Sequence, residues 1–125
     1  MAKIAENKIM NDTVNPITIR DTETGDVFTL EFDRESVKFA ESRGFKIEDV
    51  GDFPMTKIPE LFWYAFRKNH KRVSKEQAER ILDLIGGLRP GLMERLGQLY
   101  ALPFNALTNN DDDGEEKNGR MTVEF

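Results

Sequence analysis

The chain has 125 residues, a mass of 14.4 kDa, a net charge of −5 and a sequence pI of about 5.0. A chain of this length forms one domain, and its acidic balance disfavours nucleic acid as the main partner. The absence of cysteine excludes disulfides, thiolate catalysis and cysteine-bound zinc. No apolar run is long enough for a membrane span or a signal peptide, so we expect a cytoplasmic protein without a membrane partner.

The first part of the chain predicts a flexible arm followed by a β-hairpin. Residues 1–15 are polar and mixed in character, which is typical of a loose terminus. Ile17–Arg20 and Val27–Phe32 alternate between apolar and polar residues, and Asp21–Asp26 between them has turn chemistry. The second predicted strand places three apolar side chains on one face: Phe28, Leu30 and Phe32. An isolated hairpin needs helices to cover it.

A short helix is predicted directly after the hairpin. Asp33 is placed to cap a helix over Arg34–Arg43, and Gly44 is placed to end it. The following segment, Lys46–Phe53, fits either one helical turn or a short strand. Pro54 ends that segment in either case.

The most apolar stretch, Ile58–His70, predicts a central helix. Thr56 can cap it and Pro59 suits its first turn. Helical spacing places five side chains toward the core: Ile58, Leu61, Phe62, Ala65 and Phe66. Trp63 and Tyr64 project from the two flanks, so the apolar arc is wider than one packing face requires. We therefore expect this helix to serve the core and a partner together.

Two further helices are predicted before the composition changes. Ser74–Gln77 is a capping box that opens a helix, and Gly86-Gly87 breaks it. Its expected core residues are Ala78, Ile81, Leu82 and Ile85. Pro90 starts a last helix that Pro103 ends or kinks. Its expected core residues are Leu92, Leu96 and Leu99, with Met93 and Tyr100 beside them and Phe104 and Leu107 as the last.

The predicted fold is therefore α+β, with a short N-terminal β-hairpin and a small bundle of about four helices. One folded domain over residues 16–107 lies between the arm, residues 1–15, and an acidic C-terminal tail, residues 108–125. The tail has no large apolar residue before Met121, and we expect it to be disordered.

Catalytic, metal and cofactor motifs are missing from the sequence. The single histidine, His70, has no acidic or thiol neighbour and is predicted to face solvent at a helix end. Asn109–Arg120 fails as a calcium loop because its last position is arginine, not glutamate. Gly86–Gly91 lacks the Lys-Ser/Thr end of a phosphate loop. We expect a protein that is not an enzyme and has no cofactor.

An excess of apolar side chains is the remaining clue to function. Five residues exceed what a small domain hides easily: Trp63, Tyr64, Phe66, Met93 and Tyr100. They form either core alone or core together with a partner groove, and both interpretations stay open. The basic run over Arg67–Arg72 likewise either faces solvent or binds an anion or an acidic partner.

Several segments carry a resemblance to a known family: Leu30-Glu31-Phe32, Val37-Lys38-Phe39-Ala40-Glu41, Arg43-Gly44-Phe45, and Ile58 through His70. Over Pro16 to Leu107 the chain resembles the tail assembly chaperones of long-tailed, siphovirus-type phages and prophages of Gram-positive bacteria. The resemblance implies a non-catalytic homo-oligomer that binds and shields the tape measure protein in the host cytoplasm and is absent from the finished virion.

The resemblance also implies a longer form made by ribosomal frameshifting, whose extra part recruits the tail tube protein. Glu116-Lys117-Asn118 is compatible with the required slippery codons, as is Arg67-Lys68-Asn69. A slip at Lys117 would spare the whole predicted domain. The alternative function is a small regulatory or inhibitor protein that binds one folded protein partner.

Overall fold

The computed structural model describes residues 14–108, 120, 121, 123 and 124. Their elements in chain order are β1 (Ile17–Arg20), β2 (Val27–Leu30), α1 (Arg34–Ser42), α2 (Asp49–Asp52), α3 (Pro54–Tyr64), α4 (Lys75–Leu84) and α5 (Pro90–Thr108). This order confirms the predicted α+β fold, a hairpin followed by helices. Most of the predicted arm and tail lies outside the described residues. Val14, which the prediction assigned to the arm, packs against the core.

The hairpin is held by regular pairing and by a compact loop. Ile17 pairs with Leu30 and Ile19 with Phe28 in antiparallel register. In the loop, Asp21 Oδ1 accepts the backbone N–H groups of the residues two and three positions on, at 2.8 and 3.2 Å. These hydrogen bonds lower the pKa of the Asp21 carboxyl. The turn chemistry predicted between the strands is confirmed.

Helix α1 begins and ends on local signals. Asp33 Oδ1 accepts from Ser36 N at 2.8 Å, and Ser36 Oγ accepts from Asp33 N at 2.9 Å, which completes a reciprocal cap. Gly44 follows the helix with a φ of 87°, a backbone conformation that favours glycine. The buried Phe45 then donates its N–H to Ala40 O at 3.1 Å. The predicted cap and stop are both confirmed.

The predicted bounds of the central helix are wrong at both ends. Helix α3 covers Pro54–Tyr64, not Ile58–His70, and Pro54 lies in its first turn, where a missing N–H costs nothing. The preceding ambiguous segment contains only the single turn of α2. After Tyr64 the chain leaves the helix because Ala65 O accepts from Glu31 N, on the end of the hairpin, at 3.1 Å.

Helices α4 and α5 start where the sequence predicts. Ser74 Oγ accepts from Gln77 N at 3.0 Å and caps α4. Gly86 and Gly87 follow α4 with φ of 83° and 86°. Helix α5 continues through Pro103 to Thr108, so the proline does not end it.

The core lies where the hairpin, α1, α3, α4 and α5 meet. Its buried apolar residues are Ile17, Leu30, Phe32, Ala40, Phe45, Leu61, Phe62, Tyr64, Ala65, Phe66, Val73, Ala78, Leu96, Leu99 and Tyr100. The predicted core faces of β2, α3 and α5 are represented in this set. Phe104 and Leu107, predicted as the last core residues, are exposed, so that prediction is wrong.

Candidate protein-binding surface

The structure buries three of the five residues predicted to bind a partner. Tyr64, Phe66 and Tyr100 lie in the core, whereas Trp63 and Met93 are half-buried. The side chains of α3 are therefore used mainly for internal packing, including Tyr64, which was predicted to project from a flank. Partner binding by any of the five stays a prediction.

Trp63 is the best placed of the five, but it has internal partners. Its indole Nε1 donates to Val73 O at 3.0 Å and ties α3 to the segment before α4. The Arg43 guanidinium lies 5.7 Å from the centre of its ring, within cation–π range. The Phe39 ring packs edge-on against it, with centroids 6.3 Å apart. Trp63 is thus positioned by the fold and keeps only part of its surface for a partner.

The Tyr100 ring closes the core between the hairpin and α1. Its centroid lies 5.0 Å from that of Phe32 and 5.8 Å from that of Phe45, both in edge-to-face geometry. Burial, reinforced by the negative charges of Glu41 and Glu48, raises the pKa of Tyr100 to about 12. Tyr100 therefore packs inside the domain, and its ring is not exposed to a partner.

Near its end, α5 carries the clearest exposed apolar face among the described residues. Leu96 and Tyr100 are 0% and 8% exposed, but Phe104 and Leu107, on the same helical face, are 61% and 60% exposed. The apolar stripe of α5 therefore continues past the edge of the core. We call its exposed continuation, formed by Phe104 and Leu107, the α5 overhang. The stripe is readable in the sequence, but the place where the core ends is not.

Other exposed apolar side chains occur at helix ends. Phe53 and Met55 flank the start of α3, and Leu84 is the last residue of α4. Single exposed apolar residues are normal on soluble domains. Among the described residues, only the α5 overhang extends a stripe that is already buried along the same helix.

The predicted solvent-facing position of His70 is wrong. Its Nε2 accepts from Thr29 N at 2.9 Å, and its ring packs edge-on against Phe28 and Phe66 with centroids 5.4 and 6.3 Å apart. An accepting Nε2 requires the neutral imidazole with its proton on Nδ1. His70 therefore occupies a hydrogen-bonding position on the outer edge of β2.

The same edge is completed by polar neighbours of His70. Asn69 Nδ2 donates to Thr29 O at 3.1 Å and to Glu31 Oε2 at 3.0 Å. Lys68 Nζ lies 3.1 Å from the same carboxylate oxygen. The hydrogen bond from Asn69 and the nearby ammonium of Lys68 lower the pKa of Glu31. The segment over residues 65–70 thus covers the outer edge of β2, and we call it the sealing segment.

A shallow depression of about 520 Å³ lies beside the sealing segment. It is lined by Lys68–Val73 and Gln77, so its charge is positive on an otherwise acidic chain. It is wide open, and a second cavity lined by Trp63 that shares His70, Lys71 and Val73 with it holds only about 10 Å³. Across the described parts of the chain, no three histidine or acidic side chains are grouped to hold a metal ion. Such a surface offers cations to an anion but no enclosed site.

The whole chain, residues 1–125, matches the model of a family described as a domain of unknown function, DUF5055. The chain belongs to this family. No curated protein and no solved structure matches this DUF5055 chain. The family description names no activity, so the resemblance to tail assembly chaperones stays a prediction. Within the described residues, no helix combines the length and apolar character needed to cross a membrane.

Proposed function

We propose that the protein is a tail assembly chaperone that binds and shields the tape measure protein of a long-tailed phage, without catalytic activity. The observation that carries this proposal is the α5 overhang, where Phe104 and Leu107 continue a buried stripe into solvent. A partner helix can cover such a face with its own apolar stripe. The resemblance supplies the client, because a tape measure protein is a long helical chain whose apolar stripes need cover before the tail tube forms.

The size and charge of the protein suit this task. Two exposed apolar side chains give a small contact, so one copy binds weakly and many copies act together along a long client. A net charge of −5 keeps the coated client soluble. The proposed protein is a homo-oligomer that works in the host cytoplasm and leaves the client before the virion is finished.

The proposal includes a longer form that recruits the tail tube protein after ribosomal slippage at Lys117. A slip at the other compatible position, Lys68, would cut the sealing segment and remove α4 and α5. A GAG codon for Glu116 or an AAG codon for Lys117 in the gene would rule out the proposed position.

Binding of the client to the α5 overhang tests the proposal directly. The protein is co-expressed with a tape measure protein, the long helical client that the proposal names, and the complex is measured for variant Phe104→Gln/Leu107→Gln. Each lost anchor costs about 2 kcal/mol of binding, which is about 30-fold in affinity, so the double variant binds more than about 30-fold more weakly. Met55→Gln is the matched control, because Met55 is 89% exposed and lies on another helix.

The thermal midpoint of both variants should stay close to that of the parent chain, because the altered side chains face solvent. Unchanged client binding by the double variant would contradict the proposal, as would an equal loss of binding in Met55→Gln. A defined one-to-one complex with a small folded partner would favour the alternative, a regulatory or inhibitor protein.

A further inference from the structure

The two edges of the hairpin differ in whether they are covered. Thr29 uses its N–H and C=O on the sealing segment, so both groups point away from β1. Thr18 is the residue opposite Thr29, and antiparallel pairs alternate between bonded and non-bonded. Thr18 and Arg20 therefore direct their backbone N–H and C=O groups away from β2. Within the described chain these outward groups have no hydrogen-bond partner.

A short segment near residue 125 has the pattern of a missing strand. Met121-Thr122-Val123-Glu124-Phe125 alternates strictly between apolar and polar residues. Met121 and Val123 are 77% and 78% exposed, so neither is packed on the domain. With period-two alternation, the apolar residues of this segment would lie beside the half-buried Ile19, and Glu124 would share the outer face with Arg20.

Two observations indicate that the segment binds a second copy and not its own domain: the length of the connection, and the exposed surfaces that remain in a single chain. The 12 residues between Thr108 and Met121 can extend to about 40 Å, enough to reach a neighbouring domain. In one chain, however, both the edge of β1 and the side chains of Met121 and Val123 remain uncovered. Pairing of two β1 edges would bring two Arg20 side chains to one interface, whereas Glu124 supplies the opposite charge.

We propose that Met121–Phe125 of one copy adds to the outer edge of β1 in a second copy as a third strand parallel to β1. Val123 then lies beside Ile19 and Glu124 beside Arg20, so that the N–H of Val123 faces the C=O of Thr18. The backbone groups of Thr18 and Arg20 supply the hydrogen bonds, and the apolar residues of the added strand extend the covered face of the hairpin. The contact is head-to-tail, because each copy gives a strand at one place and accepts a strand at another. Such a contact leads to open chains of copies or to rings.

Two proline variants of the full chain test this proposal. Val123→Pro removes a strand N–H from the donor segment, and Thr18→Pro removes an outward N–H from the acceptor edge without breaking the ladder to β2. Sedimentation over a range of concentrations should show self-association of the parent chain. In each variant the association constant should be lower by about tenfold or more. Asn118→Pro, in the connection, is the matched control and should associate like the parent chain.

Mixing the two variants gives the sharpest result. Val123→Pro keeps an intact edge and Thr18→Pro keeps an intact donor, so an equimolar mixture should form dimers although each variant alone is monomeric. Circular dichroism confirms that both variants are folded before mixing. A monomeric parent chain at every concentration, unchanged association of Val123→Pro, or a mixture that stays monomeric would each overturn the proposal. A monomeric parent chain whose thermal midpoint falls in Val123→Pro would place the strand on its own domain instead.

Discussion

Replacing His70 should destabilise the fold, although a histidine within a basic run looks dispensable. His70→Phe keeps an aromatic ring against Phe28 and Phe66 but removes the acceptor that Nε2 offers to Thr29 N at 2.9 Å. A half-buried donor left without its partner costs about 1–2 kcal/mol. His70→Ala also loses two edge-to-face ring contacts of about 0.5–1.5 kcal/mol each, for a total of about 2–5 kcal/mol.

Urea unfolding followed by the fluorescence of Trp63, the single tryptophan, measures these differences. Lys71→Ala is the control, because Lys71 is the exposed neighbour of His70 and its loss should change the free energy of unfolding by less than about 0.5 kcal/mol. If His70→Phe unfolds at the same urea concentration as the parent chain, the hydrogen bond to Thr29 adds nothing to stability. If His70→Ala and Lys71→Ala have the same free energy of unfolding, the covered edge of β2 does not depend on the imidazole.

Two predictions concern the dependence of stability on pH. The pKa of Tyr100 is raised to about 12 in the folded chain, so the tyrosine ionises first in the unfolded chain. The free energy of unfolding should therefore fall by about 2–3 kcal/mol from about pH 10 to pH 12. The Tyr100→Phe variant should lack this part of the fall when its free energy of unfolding is measured over the same pH range. The pKa of Glu31 is lowered on folding, so its contribution is present above the ordinary pKa of a glutamate and is lost in acid. As the pH is lowered, the free energy of unfolding of Glu31→Gln should fall by about 0.5–1 kcal/mol less than that of the parent chain. Glu35 is exposed and serves as the control, and an equal difference in Glu35→Gln would contradict this assignment.

Local signals explain why much of the fold could be predicted from the sequence. Asp33, Gly44 and Ser74 act on residues within four positions of themselves, and each cap or stop lies where expected. The end of α3 is different, because the carbonyl of Ala65 is drawn to the N–H of Glu31, far away in sequence. A short stretch of sequence around the end of α3 therefore cannot predict where this helix ends.

The candidate site was less predictable than the fold for the same reason. The sequence pattern identifies the apolar faces of β2 and α5. It does not show how much of each face other parts of the domain bury. Phe104 was therefore assigned to the core and Tyr64 to a flank, whereas the structure exposes the first and buries the second. His70 has a polar neighbourhood in sequence and an aromatic one in space.

Because a distant segment covers β2, we expect the hairpin to form before its edge is covered. Thr29 and His70 are 41 residues apart, so their contact closes a long loop, whereas the hairpin itself forms from near neighbours. Until α1 and α3 have carried the sealing segment into place, both edges of the hairpin are open to strands of other chains. The same holds on the ribosome until residue 70 has emerged. Aggregation of this protein should therefore concentrate in that early interval, before the sealing segment has reached the hairpin.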